Sequence, residues 1–118
     1  MMKTPTLDHI ALTVPDLDAL IERLTADFGM VVETRAGQFA VIADPASGLK
    51  LELGQSGDAG IHFRHFGFRT DDVDNAHESL VEAGMQASVP PQRRDFARMY
   101  TSFLKQADGL EIQLVKYD

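Results

Sequence analysis

The sequence predicts an α+β fold written twice, each copy running strand, helix, then three strands. Three observations carry this. Two similar strand patterns each lead into an Asp-rich helix start. Two amphipathic helical patterns each stop at a glycine. Two glycine-led strands, Gly48-Leu49-Lys50-Leu51-Glu52-Leu53 and Gly109-Leu110-Glu111-Ile112-Gln113-Leu114, share one pattern. His9 and His65, Gly29 and Gly84, and Gly48 and Gly109 stand 56, 55 and 61 residues apart. An offset that drifts only across loops is the mark of an internal repeat.

The first strand, Leu7–Val14, precedes Pro15-Asp16-Leu17. Leu17, Leu20, Ile21, Leu24 and Phe28 then recur at helical spacing and predict one apolar stripe. Asp16 or Asp18 can cap the helix start, and Gly29 can supply the left-handed residue that ends it. Met30–Arg35 and Gln38–Ala43 read as strands around the Ala36-Gly37 turn, and Leu49–Leu53 closes the first repeat. The second copy opens at Arg64–Thr70. Asp71 or Asp72 starts its helix, whose stripe is Val73, Ala76, Leu80 and Val81. Met85–Val89, Arg98–Leu104 and Leu110–Lys116 fill the remaining strand places. Repeat one spans 7–53, the linker 54–60 holds three glycines, and repeat two spans 61–116. Each half is too small to bury its own sheet face, so 1–118 is expected to be one domain.

Composition narrows the function classes. With 44% hydrophobic and 25% charged residues, the 118-residue chain can build a core. No cysteine is present, which removes disulfides, thiolate zinc sites and cysteine nucleophiles. A net charge of −7 opposes nucleic-acid binding. No apolar run approaches the ~20 residues that span a bilayer, and Met1–Asp8 lacks the apolar core of a signal peptide. The expectation is a cytoplasmic protein with a small-molecule substrate, bound to neither nucleic acid nor membrane.

Strand side chains alternate between faces. Ile10 and Leu12, Leu51 and Leu53, Phe66 and Phe68, and Ile112 and Leu114 suit the helix side. That leaves His9, Glu52, His65 and Gln113 on the other faces of strands that correspond by repeat. Two imidazoles and a carboxylate suit Zn, Ni, Co, Mn or Fe, and also form the facial triad of non-haem iron oxygenases. His62 and His77 have no repeat equivalent; His77 reads as a helix-boundary residue.

With His-Ile-Ala-Leu-x-Val before a helix and Gly-x-x-[LI]-[EQ]-Leu in the last strand of each repeat, the chain resembles the vicinal oxygen chelate superfamily. That superfamily includes glyoxalases, bleomycin resistance proteins and extradiol dioxygenases. The resemblance implies a curved, half-open mixed sheet barrel around one divalent metal ion. It places the metal ligands at His9, Glu52, His65 and Gln113, and implies a homodimer. The activity it implies is of the glyoxalase/epimerase type: chelation of vicinal oxygens of a small carbonyl compound and proton transfer next to the carbonyl. Glyoxalase I carries Glu where this chain has Gln113, so either Glu52 is ligand and base, or Glu111, two residues before Gln113, takes that part, or the site is catalytically retired. Two His, one Gln and one Glu also serve the epimerase branch, with the halves exchanged. The alternatives are a bleomycin-resistance-like protein that sequesters a drug or metabolite and an Fe(II) ring-cleaving dioxygenase.

The run Gln92–Arg98 is a basic island in an acidic chain. It reads either as a solvated loop with local ion pairs or as an anchor for a substrate carboxylate, phosphate or CoA-type group, with Arg98 its binding residue. Tyr100 and Ser102 face the cavity if Phe103 packs under the helices; core packing is the alternative for Tyr100.

Overall fold

The computed structural model describes residues 4–118; residues 1–3 of the N-terminal stretch lie outside the described residues. Its elements are β1 (Thr6–Val14), α1 (Leu17–Phe28), β2 (Val31–Ala36), β3 (Phe39–Ala43), β4 (Lys50–Gln55), β5 (His62–Arg69), α2 (Val73–Glu82), β6 (Gln86–Arg94), a 3-10 turn (Asp95–Ala97), β7 (Met99–Lys105) and β8 (Glu111–Tyr117). The chain divides into two compact units. One comprises residues 8–64, the other residues 65–118 with residues 4–7. Each holds one copy of the predicted βαβββ order, and the chain is α+β.

In the first unit the strands lie in the order β2-β3-β4-β1, and in the second β5-β8-β7-β6. The first and fourth strands of each unit pair in parallel, while the hairpin strands pair antiparallel. A parallel pair needs a long crossover, which α1 and α2 begin. Asp16 accepts from the Ala19 amide and caps α1, and Asp72 accepts from the Asn75 amide and caps α2. Asp18 instead pairs with Arg35 at 2.8 Å. Gly29 ends α1 at φ 68°, a left-handed conformation that costs glycine little. Gln55, in β4, accepts from the Leu17 amide at 3.0 Å and donates to the Pro15 carbonyl, which ties the end of β4 to the start of α1.

The α1 stripe packs as its spacing predicts. Val14, Leu17, Ile42 and Leu53 are buried, with Leu12, Leu20, Ile21, Leu24, Met30 and Leu51 against them. Under α2 lie Val73, Ala76, Leu104 and Leu114, with Phe68, Leu80, Met85 and Tyr100. Each fully buried leucine contributes roughly 1.5–3 kcal/mol by leaving water.

Several expectations need correction. Phe28 is 69% exposed, because the stripe has rotated off the sheet by the last residue of α1. Val81 is also exposed. Gly54 and Gln55, read as linker, belong to β4, and Gln92–Arg94, read as loop, belong to β6. Pro90 and Pro91 lie where the β6–β7 register shifts, between Val89 and Gln92. An irregularity in a strand at the end of the order tolerates residues that lack an N–H. His77 is no boundary residue: it is buried, with Nδ1 2.9 Å from the Ser102 hydroxyl.

Candidate metal centre

In the first unit, parallel pairing of β1 with β4 sets Ala11 opposite Glu52. His9, two residues before Ala11, shares its face and becomes the diagonal neighbour of Glu52. His9 is fully buried, and its Nε2 lies 3.1 Å from Glu52 Oε2. On the other side of the ring, Nδ1 lies 2.8 Å from the buried Asp8 Oδ2. An ionised carboxylate only accepts, so Nδ1–H donates to Asp8. That fixes the tautomer and leaves Nε2 to face Glu52. A lone pair and a carboxylate oxygen at 3.1 Å need a positive centre between them, either a proton or a cation. Burial raises the Glu52 carboxyl above its ordinary value, and Asp8 adds to the rise; His9 and Lys50 oppose it. Lys50 Nζ lies 3.3 Å from Glu33.

The second unit repeats the register with different chemistry. Gly67 pairs with Gln113 as Ala11 pairs with Glu52, so His65 stands to Gln113 as His9 stands to Glu52. His65 meets the Phe103 ring edge-on, with centroids 5.4 Å apart and planes at 88°. Gln113 is buried, and its Nε2 donates to the Thr101 hydroxyl at 2.9 Å. Thr101 gives its own proton to the Leu114 carbonyl, so its oxygen can only accept from Gln113. The amide nitrogen is therefore fixed toward Thr101 and the amide oxygen is turned the other way.

Tyr100 and Arg98 are placed apart from that face, whereas Glu111 shares it by strand alternation. Glu111 begins β8, paired with Lys105 and two residues from Gln113. Tyr100 donates to Asp74 at 2.7 Å and packs beneath α2; the hydrogen bond raises its phenol above its ordinary value. Of the two readings of β7, core packing of Tyr100 is the one found. Tyr100, Ser102 and Leu104 turn to α2, while Thr101 and Phe103 share the face of Gln113. Tyr100 instead lines a cleft of about 460 Å³ with Asp71, Asp74, Arg93, Lys116 and Asp118. Arg98 is exposed, sits at φ 53°, and its Nε lies 3.9 Å from Asp118. Arg93 forms ion pairs with Asp95 and, through both terminal nitrogens, with Asp118, as the ion-paired reading of the basic island predicts.

The sequence reading missed Asp8. Its only signal was adjacency to His9, and the second repeat has Arg64 in that place. The donor set fits a divalent metal ion. A ligating imidazole characteristically gives its other N–H to a carboxylate, which is what Asp8 does for His9.

The family model described as Glyoxalase/Bleomycin resistance protein/Dioxygenase superfamily matches residues 6–114. No curated protein matches the chain. Among solved structures, methylmalonyl-CoA epimerase from Mycobacterium tuberculosis is 26% identical with a TM-score of 0.78, over 100% of this chain and 93% of that one. A second methylmalonyl-CoA epimerase is 17% identical with a TM-score of 0.79, over 100% and 98%. A variant of the Streptomyces coelicolor methylmalonyl-CoA epimerase, in complex with 2-nitronate-propionyl-CoA, is 25% identical with a TM-score of 0.69, over 97% and 99%. The fold class expected from the repeat is the fold of these proteins. No helix among the described residues is long and apolar enough to cross a membrane.

Proposed function

We propose that this chain, which belongs to the Glyoxalase/Bleomycin resistance protein/Dioxygenase superfamily, is a divalent-metal-dependent enzyme of the epimerase type. In this reading His9, Glu52 and His65 each give one ligand atom to the ion, and Gln113 offers its amide oxygen as a weaker fourth. The observation that carries it is His9 held between two carboxylates, with Asp8 fixing the tautomer and Nε2 turned to Glu52.

When bound, the ion supplies Lewis acidity to two neighbouring substrate oxygens. The chain's own residues do the rest. Glu52 is the base that takes a proton from the carbon beside the carbonyl; a carboxyl raised by burial is better matched to that task than a solvated one. Glu111 is the second candidate for the opposite face of that carbon, since inversion needs a proton from the other side. Similarity to methylmalonyl-CoA epimerases at 25–26% identity favours a small acid or thioester whose reacting carbon lies between two carbonyl groups. The chain acts in the cytoplasm in this reading, as a homodimer. The homodimer is what the superfamily resemblance implies.

Metal analysis of protein purified without a histidine tag tests the reading. About one equivalent of divalent metal per chain is expected, with His9→Ala and Glu52→Gln falling to background while keeping the wild-type circular dichroism. Protein that holds no metal and binds none on titration sinks the enzyme. Ligand sequestration that survives loss of the metal would then replace it.

A further inference from the structure

We infer that Arg94 is the carboxylate-binding residue of this site, and that the substrate is therefore an anion that presents a carboxylate to it. The inference rests on the metal-site reading above and adds the residue that selects the substrate's charge.

The basic island contains three arginines with different fates. Arg93 is neutralised by Asp95 and Asp118, and Arg98 reaches out toward Asp118 from an exposed position. Arg94 differs. Among the described residues it forms no ion pair and no hydrogen bond; its guanidinium carbon instead lies 5.3 Å from the centre of the Phe103 ring. That same ring meets His65 at right angles. Phe103 also stands directly across the β7–β8 pair from Gln113. One phenyl ring thus carries the guanidinium on one side and borders the proposed ligand His65 on another.

The first repeat shows that this is not a by-product of the duplicated fold. Opposite Glu52, where the second unit has Phe103 opposite Gln113, the first has Val41. Valine gives no aromatic platform, and Arg35 in β2 is spent on Asp18 and the Gly37 carbonyl. The unit whose fourth strand carries an amide thus has an arginine placed over the ring that borders its histidine, with no ion pair or hydrogen bond on its guanidinium among the described residues. A guanidinium held over a ring spends no hydrogen bond on it, so its N–H groups stay available, and a carboxylate matches two of them at once. In a chain of net charge −7, such a fixed positive group is a local exception that offsets the repulsion an anionic substrate would meet.

The test uses purified metal-loaded protein and three probes: methylmalonate and 2-oxoglutarate, which are dianions, and acetohydroxamate, a neutral chelator with vicinal oxygens. Binding is read by calorimetry. Arg94→Gln should weaken at least one dianion about tenfold or more and change acetohydroxamate less than twofold. Arg94→Lys should recover part of the loss, because it restores the charge without the planar fork. Arg93→Gln should leave all three within twofold. The proposal is overturned if Arg94→Gln binds both dianions as the wild type does, if the wild type binds neither, or if Arg93→Gln loses as much. Failure of the metal-site reading looks different: acetohydroxamate binding and metal uptake vanish in the wild type itself.

Discussion

At His9 one imidazole meets two carboxylates, and their division of labour decides what the ring can do. Asp8 takes the Nδ1 proton, and Glu52 faces the nitrogen that remains. Asp8→Asn should keep the fold but let the ring turn over to the other tautomer. Metal affinity is then expected to fall roughly 10–100-fold, measured by competition against a chromophoric chelator. Wild-type affinity in that variant would remove Asp8 from the site. Strand alternation made His9, Glu52, His65 and Gln113 legible, because each sits opposite a row of apolar neighbours. The same rule hid Asp8, since adjacent residues on a strand are expected to point apart. It also left Tyr100 open between cavity and core. Both faces of β7 carry a large aromatic residue, so parity alone gave no reason to send Phe103, not Tyr100, to the side of Gln113.

The secondary-structure elements were legible where local chemistry is decisive. Each helix begins at an aspartate whose side chain takes an amide hydrogen bond in the first turn. Of the acidic pair before α2, only Asp72 has that geometry. Asp72→Ala should therefore cost about 1 kcal/mol, read from urea denaturation, while Asp71→Ala should cost only a few tenths. Equal losses in both variants would mean that the cap is shared. Strand ends were harder. β6 continues through Pro90 and Pro91 to Arg94 because its register shifts there, and it needs only one hydrogen-bonding neighbour. A pattern search stops at the prolines; the pairing with β7 does not. The extension matters for function, since it is what carries Arg94 to the Phe103 ring.

Across the whole chain, the repeat was the most readable feature, and it survives as two units with matching registers. The difference between the copies is where function has to be sought: a carboxylate in one fourth strand, an amide in the other, and an arginine platform only in the second. The family resemblance implies a homodimer. Light scattering behind size exclusion at tens of micromolar should return twice the mass of one chain, and a single-chain mass would overturn the dimer. A last consequence concerns time. The imidazole of His9 lies near the start of the chain, yet Glu52 arrives on the strand that completes the unit and pairs with β1 in parallel. Contacts between such distant stretches form late and slowly. On a ribosome the histidine would be made early and stand idle while some forty further residues emerged, so the His9–Glu52 pair is among the last contacts the first unit learns to make.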